Sequence, residues 1–192
     1  MLFRSINESK AISKKTPEEK YEFLKLLQGE IQVFYALFRT KLNDEEATEL
    51  NQLVSSVRSS MHSVKSVKDI KSNINNLKQS SKNIKFLFFV SRKTQTENLY
   101  NQLYTLLNGL EKLSFSKLQN AFNDIETDYS SALAGLYKDS QNLPIDGADM
   151  TIAINFNREL FTSNKAIVMA VKDFLLDTQQ AEAFNDVPVY KT

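Results

Sequence analysis

Apolar residues return every three or four positions through most of this chain, the period of a helix with one buried face. The first such stretch opens at Thr16-Pro17-Glu18-Glu19. Thr16 can cap the free amides, Pro17 suits the first helical position, and Glu19 closes a capping box. Leu24, Leu27, Ile31, Phe34 and Phe38 follow in steps of three and four and predict one buried stripe. Leu42-Asn43 reads as a hinge. Asn43 caps a second helix with Asp44, Glu45 and Glu46 in its first turn, where the helix dipole favours negative charge. Its stripe runs Leu50, Leu53, Val57, Met61, Val64, Val67, Ile70, Ile74 and Leu77. Unbroken from Asn43 to Ser81, this helix would be about 60 Å long at about 1.5 Å per residue. Serines at 55, 56, 59, 60, 63 and 66 either let it approach its neighbours closely or form a solvated face.

Lys82 to Lys93 supports two readings, since Phe86, Phe88 and Phe89 either extend a helix or cover the end of a bundle. From Thr96 a third helix carries Leu99, Leu103, Leu106, Leu110 and Leu113. A fourth carries Phe115, Leu118, Phe122, Ile125, Tyr129, Ala132 and Leu136. Pro144 and Gly147 break the chain between Asn142 and Gly147. A fifth helix, roughly Asp149 to Leu176, sets Ala153, Leu160, Ile167 and Phe174 seven apart, with Phe156 and Val171 near the same seam. No segment shows the strict alternation of a half-buried strand. The pattern predicts an all-α antiparallel bundle of about five long helices crossing near about 20°. Residues 1–15 read as a linker or tether, 16–177 as the bundle, and 178–192, where the period fades and Pro188 occurs, as a mobile tail.

Composition narrows the function more than the fold. A length of 192 residues is one domain's worth. With 24 basic and 23 acidic residues there is no global bias of the kind a nucleic-acid packaging protein needs. The chain has no cysteine, which removes disulfides, thiol nucleophiles and thiolate metal sites. Its single histidine, His62, leaves no histidine pair for a metal and is expected on a helix surface. Gly29, Gly109, Gly135 and Gly147 are isolated, so no glycine-rich phosphate loop exists. Clean apolar runs such as Phe86 to Val90 are far short of the roughly 20 residues that span a bilayer. Met1 to Ser5 is too short for a signal peptide, so the expected location is cytosolic.

Three polar patterns are candidates for chemistry or binding. Asp124/Asp128, with Glu126 between them, and Asp173/Asp177 are acid pairs one turn apart, a spacing that suits a metal or merely a solvated helix face. Between Arg58 and Lys93 lie nine basic residues and one acid, Asp69, giving that segment +8 and the remainder −7. Arg58, Lys65, Lys68, Lys71, Lys78, Lys82 and Lys85 then form either a solvated flank offset by neighbouring acids or a docking stripe for an anionic partner, an acidic protein face or lipid headgroups. Asn157 and Asn164, seven apart on the apolar seam of the last helix, either fix helix register or belong to a small polar site.

Two segments carry a family resemblance: Val64-Lys65-Ser66-Val67-Lys68-Asp69-Ile70-Lys71-Ser72-Asn73-Ile74 and Asn155-Phe156-Asn157-Arg158-Glu159-Leu160-Phe161-Thr162-Ser163-Asn164-Lys165-Ala166-Ile167. With the helix order, they resemble the PhoU-like helical domain that follows the membrane part of bacterial sodium/phosphate cotransporter family proteins. The resemblance covers roughly residues 16 to 177. It implies a non-enzymatic cytoplasmic regulatory or interaction domain at the inner face of the membrane. The implied partner is the transmembrane part of a phosphate transporter or its membrane surface, with a second copy of the chain as a further one and no nucleic acid. A free-standing PhoU-type adaptor, docking on phosphate transporters or a signalling kinase, is the alternative. A carboxylate-metal hydrolase or oxidase is a third, disfavoured by the single histidine. PhoU proteins bind metal clusters through an acid-x-x-x-Asp motif. Asp69 falls at its aspartate and Asn73 follows as in the family, but Lys65 stands at the acidic position. Glu159 fills the acidic position of the other copy, where Ser163 replaces the aspartate. A protonated lysine offers a metal no lone pair, so neither a multinuclear metal cluster nor any other cofactor is expected.

Overall fold

The computed structural model describes residues 14–109, 115–143 and 145–185. Seven α-helices and no strand occur among them: α1 (Pro17–Phe38), α2 (Asp44–Asp69), α3 (Lys71–Lys78), α4 (Asn83–Leu107), α5 (Phe115–Ser140), α6 (Gly147–Leu175) and α7 (Thr178–Asn185). A 3-10 turn, Arg39–Lys41, follows α1. The chain divides into two compact units, residues 1–50 and 51–192, with the boundary inside α2.

Local sequence chemistry sets the starts of α1, α2 and α6. Thr16 Oγ1 accepts from the Glu19 amide at 3.2 Å while Glu19 returns the bond to the Thr16 amide at 2.8 Å, a complete capping box. Asn43 and Glu46 repeat the exchange at 2.9 and 3.1 Å. Asp146 caps α6 by accepting from the Asp149 amide.

In the first unit α1 forms, but its stripe is not buried. No residue of α1 is buried, and Leu27, Phe34 and Phe38 are exposed. A single long helix cannot cover its own apolar face; Phe34 and Phe38 stack on each other at 4.6 Å instead.

In the second unit, the apolar core has two parts. One gathers Leu99, Leu103 and Leu106 of α4, Leu118 and Ile125 of α5, Val168 and Val171 of α6, and Phe184 of α7. The other gathers Ile70, Leu77 of α3, Ile84 of α4, Leu136 of α5, and Ala153 and Phe156 of α6. Chain direction follows from that division. Helices α4 and α6 run from the second cluster to the first, and α5 runs back.

Several expectations are corrected here. The long second helix is broken: α2 stops at Asp69, and Ile70 leaves helical geometry (φ −97°, ψ 11°) while its side chain enters the second cluster. Neither Gly nor Pro marks that break. The buried seam of α2 is also rotated from the apolar stripe. Ser56, Ser63 and Ser66 are buried, whereas Leu53 and Val67 are exposed. Ser56 Oγ donates to the Ala170 carbonyl at 2.7 Å and Ser163 Oγ to the Ser63 carbonyl at 3.0 Å. Ser56 and Ser63 are therefore buried in hydrogen-bonded contact with α6 and do not form a solvated face. Residues 83–95 belong to helix α4 rather than to a loop, with Lys82 at its N-cap. The bundle continues past 177, since Ala181 and Phe184 of α7 are buried and Phe184 meets Phe115 and Phe122 edge-on. Residues 1–13 of the expected tether, Leu110, Leu113, Pro144 and the last residues of the expected tail, 186–192, lie outside the described residues.

Candidate functional site

Between the two apolar clusters, α4, α5 and α6 face one another with polar side chains. Arg92, Gln95 and Thr96 interrupt the apolar face of α4 within little more than one turn. Asp124 and Asp128 stand one turn apart on α5, and Asn157 and Asn164 two turns apart on α6. Together they line a cleft of about 300 Å³, with Leu99, Ile125, Leu160 and Phe161 supplying its apolar wall. Asn157 (1 % exposed) and Arg92 (5 % exposed) are its most deeply buried polar residues, and Asp124 is exposed.

Part of this cluster is satisfied internally. Arg92 Nη1 donates to the Asp128 carbonyl at 2.9 Å, and Gln95 Nε2 donates to Asp128 Oδ1 at 2.9 Å. Asn157 Nδ2 donates to the Tyr129 carbonyl at 3.2 Å. Asn164 Nδ2 reaches Thr96 Oγ1 only at 3.5 Å. Three buried atoms have no hydrogen-bond partner among the described residues: Arg92 Nε, Gln95 Oε1 and Asn164 Oδ1. All three belong to residues of this one cleft. Such atoms normally cost about 1–3 kcal/mol each when left unpaired, so their convergence is not a neutral feature of packing.

The charges respond to the same burial. Desolvation lowers the Arg92 pKa, with Asp128 opposing the fall. Desolvation raises the Asp128 carboxyl; Arg92 opposes the rise and Asp124 adds to it. The arrangement offers one cationic donor and two neutral acceptors, beside two carboxylates, in a partly water-excluded slot.

The sequence candidates fall into three places. Asn157 and Asn164 line the cleft, and Asn157 also bonds the Tyr129 carbonyl of the facing helix, so the pair fits both of its readings. Of the acid pairs, Asp124 and Asp128 also line it, while Glu126 is taken by Lys165 at 2.9 Å. Asp173 accepts from Lys172 and Ser55, and Asp177 accepts from the Gln180 amide at the start of α7. The acidic and asparagine positions of the resemblance are scattered. Asp69 is exposed at the end of α2, Asn73 is half-buried on α3, and Glu159 pairs with its neighbour Arg158 at 3.3 Å. No group of three or more acidic or histidine side chains placed to hold a metal ion occurs among the described residues.

The basic stripe is shortened and divided. Arg58, Lys65 and Lys68 are exposed on α2, and Lys71 and Lys78 are exposed on α3, beyond the break at Ile70. Lys82 is exposed but donates to Asp146 at 2.9 Å and Asp149 at 2.6 Å. Lys85 is buried, 5 % exposed, and donates to Asp149 at 2.5 Å. Lys85 is thus withdrawn from any docking face, and Lys82 is engaged on an internal pair of acids. Arg92 was visible in sequence only as one more basic residue. Its real signal is the polar inset Arg92-x-x-Gln95-Thr96, placed between the apolar positions Phe89 and Leu99.

No helix among the described residues is long and apolar enough to cross a membrane. No protein-family model matches the chain, and neither a curated protein nor a solved structure matches it.

Proposed function

We propose that this chain is a non-enzymatic binding and regulatory module, in which occupancy of the cleft between α4, α5 and α6 sets how those helices pack and what they present to a partner. One observation carries the reading: the three unpartnered buried polar atoms, Arg92 Nε, Gln95 Oε1 and Asn164 Oδ1, all belong to the same slot. A core built only for stability would place apolar groups there, as it does on either side. Binding sites tolerate such groups because a ligand completes their hydrogen bonds.

The test needs no knowledge of the ligand. Asn164→Leu removes an unpartnered acceptor and fills the same space with carbon. The free protein is expected to gain about 1 kcal/mol in denaturant unfolding, because a desolvated, unpaired group has been removed. A loss of stability of that size or more would make Asn164 a structural residue and end the reading.

A role in sodium-dependent phosphate transport, with a transporter's membrane part as partner, is a second and narrower proposal. It rests on the resemblance of Val64–Ile74 and Asn155–Ile167. One observation favours it: Asn157, Leu160, Phe161 and Asn164, from the second segment, form a wall of the cleft. The same reading covers a free-standing adaptor at the membrane's inner face, with exposed Arg58, Lys65 and Lys78 toward an anionic partner. Calorimetric titration of the purified chain with inorganic phosphate tests it. Saturable binding is expected if phosphate is the signal, and a flat titration would remove phosphate as the ligand.

A further inference from the structure

We infer that the cleft takes a zwitterionic α-amino acid with an apolar side chain. This rests on the binding reading above and names its ligand. The unpartnered groups divide by chemistry. Arg92 Nε is a cationic donor and calls for an anionic acceptor, and its planar guanidinium matches a carboxylate. Gln95 Oε1 and Asn164 Oδ1 are acceptors and call for donors. The Gln95 amide is held in that sense, because its Nε2 is already committed to Asp128 Oδ1. Asp124 and Asp128, in the same lining, add negative charge that favours a ligand carrying a cationic donor, and Asp128 also acts on Arg92.

Single-character ligands fit poorly. Inorganic phosphate is nearly all acceptor, so it would satisfy Arg92 and meet two carbonyl oxygens and two carboxylates. A polyamine is all donor and would meet the guanidinium. A molecule with a carboxylate at one end and an ammonium beside it carries both the acceptor that Arg92 calls for and the donors that the two amide oxygens call for. The rest of the lining sets the remainder of the ligand. Leu99, Ile125, Leu160 and Phe161 give it an apolar surface to cover. A volume of about 300 Å³ lies at the small end of ligand sites, which run from about 300 to 1,000 Å³, so it suits a free amino acid better than a nucleotide.

The experiment is calorimetric titration and thermal shift of the purified chain with leucine, methionine and phenylalanine. Two half-analogues of leucine, isoamylamine and 4-methylpentanoate, are run beside them, together with inorganic phosphate and spermidine. At least one of the three amino acids is expected to bind saturably, at least tenfold more tightly than either half-analogue and than phosphate or spermidine. Arg92→Met is expected to weaken it tenfold or more. Asn164→Leu, a second variant that does not remove the charge, should weaken it several-fold. Lys138→Ala, at an exposed position on α5, should leave it unchanged. Absence of binding by all three amino acids overturns the inference. So does a half-analogue that binds as well as leucine, or phosphate or spermidine binding in their place. If Asn164→Leu stabilises the free protein while none of the three amino acids binds, the ligand class fails and the cleft stands. If that variant destabilises, both fail.

Discussion

Helices α4 and α6 meet through two polar clusters, and the two are opposites. Near their N-termini, Lys85 of α4 and its N-cap Lys82 close on Asp146 and Asp149 with three ion pairs of 2.5 to 2.9 Å. Seven residues on from Lys85, about 10 Å along the same helix, Arg92 enters the cleft with Nε unpaired. Both clusters bury a cation on α4. One gives it a carboxylate from the facing helix, and the other gives it a carbonyl and a cavity. The first is a clasp whose groups are mutually satisfied. The second keeps bonding capacity in reserve, which is the feature the proposed binding role rests on.

The largest effect is expected where the clasp is broken. Asp149→Ala leaves Lys85 buried beside no carboxylate and should cost about 3 kcal/mol, the penalty typical of a stranded buried charge. Denaturant unfolding at neutral pH measures it, and a change under about 1 kcal/mol would reduce the clasp to a surface feature.

Next in size is the contact between α2 and α6. Ser163 is fully buried and shares hydrogen bonds with Ser63. Ser163→Val adds carbon at that close approach and should cost about 1–3 kcal/mol through overpacking. A neutral result would show slack between the two helices.

Acid separates the two clusters by sign. The Lys82 and Lys85 ammoniums hold Asp149 below its ordinary value, and the Asp149 amide, with Lys82, does the same for Asp146. Groups depressed in the folded state bind fewer protons there than in the unfolded chain. Their stabilisation is therefore fully present above the ordinary carboxylate pKa of about 4 and is lost as pH falls from there through the lower folded-state values. Asp128 is raised by burial, so the folded state binds its proton more readily and its burden on stability grows as pH rises through that range. Asp128→Asn should then stabilise the protein at neutral pH, and the gain should shrink in acid. Asp149→Asn should destabilise at neutral pH, and its loss should shrink in acid. Melting temperature of the parent and both variants, followed from pH 7 to about pH 3, reads both trends. Two curves of the same sign would erase the contrast.

The smallest effect belongs to the solvated pair Lys93–Glu97, at 3.3 Å with both side chains 58 % exposed. Glu97→Gln should shift stability by no more than about 0.5 kcal/mol. A larger change would mean that exposure does not separate the structural pairs from the incidental ones.

Much of the fold was legible in the chain. The caps at Thr16 and Asn43 depend on atoms three residues apart, so spacing alone reveals them. The leucines of α4 and α5 follow a period that any buried helix face imposes. The break at Ile70 was not legible, because no Gly or Pro announces it and the residue there is an apolar one that packs into the core. The serine seam of α2 was legible only as a choice, since a small polar side chain suits solvent and close contact equally until a facing helix decides. Of the site, Asn157 and Asn164 were visible as polar residues on an apolar seam, and Asp124 and Asp128 as a spaced pair. Their meeting with Arg92 and Gln95 was not, because those residues lie on three helices and no local rule links them.

The sequence by itself determined that the chain is helical and where its first two helices start, since capping and periodicity are properties of neighbours along the chain. Only the tertiary structure decided which lysines are surface charge and which are internal counter-ions. Lys78 and Lys85 are seven apart and indistinguishable by spacing, yet one is exposed and the other is 5 % exposed against Asp149. A charge's environment is set by what faces it across space, and here the facing carboxylate lies 64 residues away.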